Sequence, residues 1–167
     1  DENLSVLRCS CRPHVKTPKS TQVGDARIAA CAQGITRSAL EEAEQFFAHG
    51  IRDIVYAVGM VPSNLGQALA LRRQGCDVKL VADSLPAAHA IAEFGRAHGE
   101  RFEVWIEVDV DGHRSGIPPD ADLLIDVGRA LADGGMVLGG VLAHAGSSYE
   151  YSTPDALAAI AEQERSR

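Results

Sequence analysis

Residues 41–60 read EEAEQFFAHGIRDIVYAVGM and contain one complete repeat of the fold. A helical pattern of apolar and charged residues ends at Gly50, and the apolar segment DIVYAV follows almost directly. Glycine accepts the left-handed backbone that closes many helices, so Gly50 is expected just past a helix C-terminus. We therefore predict a helix, a glycine and then a strand.

The same order recurs along the chain. LGQALALRRQG precedes CDVKLVAD, AAHAIAEFGRAHG precedes ERFEVWIEVDV, and LLIDVGRALADGG precedes MVLGGVLAHAG. Gly75, Gly99 and Gly134 hold the place of Gly50 in these repeats and are predicted at helix C-termini.

Helix starts are marked by polar residues. SALE pairs Ser38 with Glu41 and is typical of a capping box. In STPD, Thr153 is predicted as an N-cap and Pro154 as the first helical residue.

The strand segments DIVYAV, VKLVA and VLGGVLA are continuous apolar runs, typical of parallel strands with both faces buried. With an opening strand before Lys16 and a weaker one around GIT, the chain has about six strand–helix units. An α/β fold follows, either a doubly wound sheet or a (β/α)₈ barrel. No strand is followed by a G-x-G-x-x-G or Walker loop. We expect an incomplete TIM-type barrel of parallel strands with outer helices, in a chain that is a piece of a larger protein.

The bulk composition fits one soluble globular domain. The chain has 167 residues, 46% of them hydrophobic, and a formal net charge of −7. Without a basic stripe it is not expected to bind nucleic acid, and no apolar run reaches the roughly 20 residues of a membrane span. Four cysteines, Cys9, Cys11, Cys31 and Cys76, lack zinc-ligand spacing and are expected to be reduced, buried thiols of a cytoplasmic protein.

Function is expected at the carboxyl ends of the strands in either architecture. The polar residues that fall at or just after these ends are His14, Lys16, Asp83, Glu107, Asp109, His113, Arg114, His144, Ser147, Ser148 and Tyr149. The opposite ends carry residues such as Arg52, Asp53 and Arg101, which we expect to be ordinary surface residues.

Three motif interpretations are rejected. DVDG is not a calcium loop, because His113 and Arg114 occupy the positions of its later ligand and its required glycine. GSSY lacks the second glycine of a nucleophile elbow. The spacing of Ser147, His144 and Asp109 does not favour a hydrolase triad. No metal ligand is assigned within the chain.

Lys16 admits two interpretations, a solvated lysine in a turn or a nucleophilic amine. A lysine forms a Schiff base only when it is deprotonated, so a reactive site must lower its pKa by desolvation or by positive charge nearby. His14 lies on the same strand face and Arg12 beyond it, and both can place positive potential near Lys16. Lys19, at the start of the next helix, is expected to be solvated.

Four motifs, RPHVKTPKS, GITRSALEEAE, VDVDGHRSGI and HAGSSY, occur in this order. Together they closely resemble motifs of the D-threonine aldolase and D-serine dehydratase family, which are pyridoxal-phosphate enzymes of the alanine-racemase-like fold type. The resemblance spans essentially the whole chain. It implies an N-terminal (β/α)₈ barrel and a C-terminal β-rich domain. Residues 1–167 are therefore expected to be a truncated pyridoxal-phosphate-binding barrel domain without the last barrel units and the C-terminal domain.

The resemblance also implies the roles of the site residues. It makes Lys16 the Schiff-base lysine, with His14 shaping its surroundings, and Arg114 a cofactor-side arginine. His144 and Tyr149 are implied to be catalytic, and Tyr149 also faces the cofactor. The chain departs from the family pattern at Pro18, where a histidine is usual, and at Leu142, where some members have a tyrosine. Ser38 and Ala39 stand where the second motif usually has Ala and Thr.

The implied activity is that of a lyase acting on β-hydroxy D-amino acids, by D-threonine aldol cleavage or D-serine dehydration. Its implied cofactors are pyridoxal 5'-phosphate and a divalent metal, Zn or Mn, held by residues outside this chain. A homodimer is implied for the full-length enzyme, and the 167-residue chain alone is expected to be inactive. The open alternatives are an amino-acid racemase of the alanine type, a non-catalytic pyridoxal-phosphate-binding protein, and a sugar- or phosphate-binding α/β domain.

Overall fold

A computed structural model describes residues 10–15, 20–112 and 114–167. Helices and strands alternate along these residues. The helices are α1 (Thr21–Ala29), α2 (Leu40–Ala48), α3 (Leu65–Arg73), α4 (Leu85–His98), α5 (Asp122–Asp133) and α6 (Pro154–Ser166). The strands are β1 (Ile35–Arg37), β2 (Asp53–Gly59), β3 (Asp77–Ala82), β4 (Glu103–Val108) and β5 (Val137–Ala143). Two 3₁₀ helices lie at Pro62–Asn64 and Gly146–Glu150.

The strands form one parallel sheet in the order β1-β2-β3-β4-β5. Each strand neighbours the one before it in sequence, whereas a doubly wound sheet reverses its order at a switch point. The order is therefore that of a barrel-type sheet, which confirms the barrel prediction over the doubly wound alternative. The predicted opening strand is present in the described residues as an isolated parallel bridge between His14 and Thr36.

The chain divides into two compact units. The first unit, Asp1–Val58 with Ser63–Leu80, contains β1, β2 and most of β3. In the register between β1 and β2, Ile35 pairs with Ile54 and Arg37 with Tyr56. All three residues of β1 are buried, and α2 packs against this strand with Leu40, Ala43 and Phe46. From Val78 onward β3 is buried on both faces, as VKLVA predicts.

The second unit, Gly59–Pro62 with Val81–Arg167, is built on the parallel pair β4 and β5. Val104, Ile106 and Val108 alternate into the core along β4, and α5 packs on both strands and on α4. The prediction that VLGGVLA is buried on both faces is wrong for this chain. Val141 is 60% exposed, and Val137 and Leu138 are also exposed. The reason is that β5 ends the strand order and pairs with β4 alone in the sheet.

Three predicted C-terminal glycines are confirmed, because Gly50, Gly75 and Gly99 all have positive φ. Gly134 is also at a helix C-terminus, as the C-cap of α5, but its φ is −71°. The left-handed conformation falls one residue later, on Gly135, with φ 84°.

The two predicted helix starts differ in outcome. Thr153 caps α6, because its Oγ1 accepts a hydrogen bond from the Ala156 N–H at 3.4 Å, and Pro154 is the first helical residue. The Ser38–Glu41 capping box is wrong. The helix starts at Leu40, so the N-cap position falls on Ala39, whose methyl side chain cannot accept a hydrogen bond.

Gly134 instead serves a close approach between α4 and α5. A Cβ at this position would collide with the Cβ of Ala92 and lie 2.9 Å from the Ala130 carbonyl oxygen. We expect Gly134→Ala to lower the free energy of unfolding by about 1–3 kcal/mol, since both neighbours are anchored in helices. In the matched control Gly128→Ala, the nearest atom would lie at 3.7 Å, so about 0.5–1 kcal/mol of stabilisation is expected from helix propensity. Urea midpoints compare the two variants, and a Gly134→Ala protein as stable as the wild type would contradict the packing argument.

The described thiols are free and differ in burial. Burial of Cys76 raises the pKa of its thiol to about 11, and its Sγ donates to the Arg52 carbonyl oxygen. The expectation of buried thiols is wrong for Cys31, which is exposed in a left-handed turn after α1 with φ 69°. Within the described residues, no helix is both long and apolar enough to cross a membrane.

Candidate active site

The lysine on which the sequence interpretation depends, Lys16, lies outside the described residues, together with Pro18, Lys19 and His113. The two residues that precede Lys16 are described. His14 is exposed and forms the bridge to Thr36, while Val15 is 1% exposed. Backbone hydrogen bonds from Thr36 N to Pro13 O at 2.9 Å and from Val15 N to Thr36 O at 3.3 Å hold this segment beside β1.

Sequence analysis did not single out Arg37, the last residue of β1. Its side chain is fully buried and is the largest of the fully buried side chains in the described residues. Nη1 donates to the carbonyl oxygen of Val15, and Nη2 donates to the Glu42 carboxylate. The guanidinium carbon lies 4.8 Å from the centroid of the Phe46 ring, and Nε has no hydrogen-bond partner within the described residues. A single residue thus connects the strand end before Lys16 to helix α2.

Charged residues at the amino end of the strands form a network of ion pairs. The expectation that Asp53 is an ordinary surface residue is therefore wrong. Asp53 accepts two hydrogen bonds from Arg12, at 2.6 and 2.8 Å, and one from the buried Lys79 at 2.5 Å. Burial raises the pKa of Asp53, but hydrogen bonds from Arg12 and Lys79 outweigh it and the net pKa is lowered. Because Arg12 is paired here, its charge is largely neutralised by Asp53.

In the second unit, the segment after β4 is a tight loop that returns to the sheet. Asp109 N donates to Ile117 O at 3.0 Å, and Ile117 N donates to Glu107 O at 2.9 Å. Asp109 Oδ1 accepts from Gly112 N at 2.8 Å, and Glu107 accepts from Ser115 Oγ at 2.8 Å. These bonds hold the base of the loop in place.

Arg114 lies in this loop and is exposed. Its neighbour Gly116 has φ 115°, and a Cβ there would approach the backbone of Asp109 within 2.8 Å. The loop is therefore closed by glycine at its base and presents an arginine side chain to solvent.

The loop after β5 is tied to the loop after β4. The Ser147 N–H donates to Asp111 Oδ2 at 2.8 Å. The same unit contains a small apolar core, against which Leu124 packs; its members are Val108, Val110 and Ala145. The order of the HAGSSY segment thus depends on Asp111, a residue that sequence analysis did not assign to the site.

His144 and Tyr149 are brought together by the 3₁₀ helix Gly146–Glu150. Their ring centroids are 5.7 Å apart, with the rings tilted by 43°. Both side chains are exposed, and Tyr149 is 77% exposed. The two residues predicted as a pair from the motif therefore lie next to each other, and both present an aromatic ring to solvent.

The remaining candidates do not extend this arrangement into a hydrolase site. The Ser147 hydroxyl is buried without a hydrogen-bond partner among the described residues, which leaves no base on it. Asp83 follows β3, and its carboxylate lies over Gly59, where a Cβ would come within 2.9 Å of Asp83 Oδ2. Nothing in the described residues groups three or more His, Cys, Asp or Glu side chains around a metal position.

A cavity of about 530 Å³ lies in the first unit. It is lined by residues of α1, the end of the α2 segment and the start of β2, among them Asp25, Gln33, His49 and Arg52. None of the predicted site residues that the structure describes lines this cavity.

The family described as alanine racemase, N-terminal domain, matches residues 3–165. The chain belongs to this family. The members of the alanine racemase family are pyridoxal-phosphate-dependent enzymes.

Three relatives place the chain within the alanine racemase family. The D-threo-3-hydroxyaspartate dehydratase of Delftia sp. (strain HT23) is 65% identical over 92% of this chain and 41% of its own length. Its solved structure has a TM-score of 0.96 to this chain at 60% identity, and the match covers 99% of this chain and 44% of that one. The D-threonine aldolase of Arthrobacter sp is 31% identical over 91% of this chain and 40% of its length. The D-serine dehydratase of Dictyostelium discoideum is 24% identical over 98% of this chain and 45% of its length.

The comparisons confirm the resemblance inferred from the four motifs, and they confirm lyases as relatives. The chain spans less than half the length of these relatives. The described residues fit the cofactor of the alanine racemase family in two separate observations. Exposed aromatic rings at His144 and Tyr149 suit a flat pyridine ring. The Val15 carbonyl oxygen, directly before Lys16 in the chain, accepts a buried hydrogen bond from Arg37.

Proposed function

We propose that the full-length protein is a pyridoxal-phosphate-dependent lyase that removes water from a β-hydroxy D-amino acid. The observation that carries this proposal is the 65% identity to a D-threo-3-hydroxyaspartate dehydratase over 92% of this chain. D-threo-3-hydroxyaspartate is accordingly the first substrate to test. D-Serine dehydration and aldol cleavage of D-threonine use the same kind of substrate, a D-amino acid with a hydroxyl on Cβ.

Lys16 is proposed to hold the cofactor covalently through its side-chain amine. Once it is not engaged with the cofactor, the Lys16 Nζ would be the candidate base that removes the proton from the substrate Cα. The pyridine ring of pyridoxal phosphate, when bound, takes up the electron pair that is left on Cα. This role needs an accurately placed lysine, which agrees with the buried contacts of the preceding Val15.

Arg114 is proposed to face the cofactor, with His14 shaping the surroundings of Lys16. Arg114 projects from a loop whose base is fixed by Asp109 and Ile117, so its charge is held near the carboxyl end of β4. A fixed positive charge favours electron withdrawal into a neighbouring ring, because it stabilises the negative charge that develops there.

His144 and Tyr149 are proposed to serve the leaving hydroxyl. A protonated imidazole is a general acid, so His144 would be the group that donates a proton to the oxygen that departs from Cβ. The Tyr149 hydroxyl can donate a hydrogen bond to substrate or cofactor from the same short helix. In this scheme Cα loses a proton to Lys16. The Cβ hydroxyl receives a proton from His144 and leaves as water, so the substrate loses one molecule of water in all.

A divalent metal, Zn or Mn, bound outside this chain remains a prediction from the family resemblance. No group of ligands that could hold it occurs in the described residues, so we assign no step to it.

The test is turnover by the full-length protein supplied with pyridoxal phosphate and a divalent cation. We expect ammonia and a 2-oxo acid from D-threo-3-hydroxyaspartate, and we expect none from its L-isomer. D-Aspartate is the matched control, since it differs only in lacking the hydroxyl that must leave and therefore cannot be dehydrated. Conversion of D-alanine to L-alanine without ammonia release would replace the proposal by a racemase, and cofactor binding without any turnover would replace it by a carrier.

A further inference from the structure

A fully buried arginine needs an explanation, because the other members of the set of largest fully buried side chains in the described residues are apolar. Arg37 is 0% exposed, and its burial removes a permanent charge from water. The Glu42 carboxylate in the first turn of α2 balances that charge, and the Phe46 ring covers the guanidinium at 4.8 Å. A leucine or methionine would fill the same space without this cost. The arginine therefore supplies something beyond packing.

Arg37 restrains the backbone immediately before Lys16. Its Nη1 donates to the carbonyl oxygen of Val15. That carbonyl belongs to the peptide group that joins Val15 to Lys16, and a peptide group is planar. Fixing the Val15 oxygen therefore restricts the direction in which the chain enters Lys16.

With the Arg37 hydrogen bond, Val15 is restrained more firmly than by the backbone hydrogen bonds of strand pairing alone. The bridge beside β1 contributes Val15 N to Thr36 O at 3.3 Å, a long hydrogen bond. The predicted opening strand is no more than an isolated bridge in the described residues. Arg37 adds a charge-assisted donor to the Val15 carbonyl at this bridge. Its planar fork binds the Val15 carbonyl and the Glu42 carboxylate at once, which a lysine cannot reproduce.

We propose that Arg37 is a positioning residue for Lys16: with Glu42 as counterion, it fixes the Val15–Lys16 peptide and thereby the origin of the lysine side chain. The inference rests on the proposed function, in which Lys16 holds the cofactor and moves the Cα proton. Arg37 acts through the backbone and does not need to touch substrate or cofactor.

The decisive variant is Arg37→Met with Glu42→Gln in the full-length protein. The double change removes both charges and keeps the volume, so folding is expected to survive better than in Arg37→Met alone, which takes the Arg37 ion pair away from the charged Glu42. We expect kcat to fall about 100-fold, as for a catalytic group displaced by about 1 Å, with KM changed less than about threefold. The visible band of covalently held cofactor is expected to weaken and to shift its pH midpoint, which a purely structural role would not change.

Arg52→Met is the matched control. Arg52 likewise donates to a backbone carbonyl, that of Gly75 at 3.4 Å, and lies over a phenylalanine ring, Phe47, at 5.9 Å. It precedes β2 at the opposite end of the strands, so kcat and the cofactor band are expected to match the wild type. Arg37→Lys is a second test in a protein that keeps the positive charge opposite Glu42. It is expected to retain the folded structure and still lose kcat, because an ammonium lacks the fork.

Each result decides the inference. A folded double variant, or a folded Arg37→Lys protein, with wild-type kcat and an unchanged cofactor band would overturn it while the proposed function stands. If Arg52→Met loses as much activity as the double variant, the effect is general destabilisation and the inference is wrong. If the wild type neither binds pyridoxal phosphate covalently nor turns over a β-hydroxy D-amino acid, the proposed function fails and takes this inference with it.

Discussion

Lys16→Ala is expected to abolish the visible absorbance of covalently bound cofactor in the full-length protein and to lower kcat by about 10³-fold or more. The variant removes both the amine that would hold pyridoxal phosphate and the proposed base for the Cα proton. No other lysine of the first motif can replace it, because Lys19 lies three residues further along the chain. The measurement combines the absorbance spectrum with reduction by borohydride and mass analysis of the modified peptide.

Lys19→Ala is the control for this experiment. It makes the same chemical change within the same motif and is expected to leave the cofactor band and turnover near wild-type values. A borohydride-stable adduct that persists in the Lys16→Ala protein, or that maps to Lys19, would show that the assignment of Lys16 is wrong.

Asp53→Asn is expected to lower the stability of the first unit substantially. Asp53 pairs with Arg12 and with Lys79, whose side chain is 7% exposed. Removing the carboxylate charge leaves a buried ammonium with only Asp77, which is itself half exposed. Breaking a fully buried pair costs about 3–5 kcal/mol. Because Asp53 is partly solvated and Asp77 remains, we expect a loss of about 2 kcal/mol.

The pH dependence follows from the lowered pKa of Asp53. A carboxyl whose folded pKa lies below its ordinary value stabilises the folded state above that value, and the contribution is lost as pH falls through the folded pKa. The ordinary value is 3.8. The difference between wild type and Asp53→Asn in urea unfolding should therefore be constant from about pH 5 to 8 and shrink on acidification below about pH 4.

Asp77→Asn is the comparison variant. Asp77 also contacts Lys79, at 2.6 Å, but it is far more exposed, so its removal should cost no more than about 1 kcal/mol. Equal urea midpoints for Asp53→Asn and the wild type at pH 7, or a difference that grows at low pH, would show that the Arg12–Asp53–Lys79 network does not stabilise the fold.

Much of the candidate site could be predicted from sequence because its residues follow strands directly. His144 and Tyr149 lie in one short segment, and their pairing needs only the local 3₁₀ helix Gly146–Glu150. Arg114 is carried by a loop that the sequence already places after a strand. The roles of these residues, and that of Lys16, remain predictions from the family resemblance.

The residues that the sequence analysis missed act across long separations. Arg12 and Asp53 are 41 positions apart, and Lys79 is another 26 from Asp53. Arg37 reaches back 22 positions to Val15. A charged residue within an apolar segment is normally predicted to be exposed or to interrupt the strand, unless its partners are known. Nothing in the neighbouring sequence therefore predicted that Arg37 and Lys79 are buried.

Local sequence patterns were enough to predict the repeated helix–glycine–strand order, the parallel α/β class, the strand ends that carry polar residues and the family. These properties depend on hydrophobic periodicity, helix-closing glycines and short motifs, all of which act between near neighbours in the chain. The three-dimensional arrangement was needed to show that Gly134 makes room for Ala92, that β5 is exposed, that Asp53 pairs with both Arg12 and Lys79, and that Arg37 donates to the Val15 carbonyl. These depend on which distant side chains meet at short range, because steric exclusion and electrostatic pairing act over a few ångströms in space, whatever the distance along the chain.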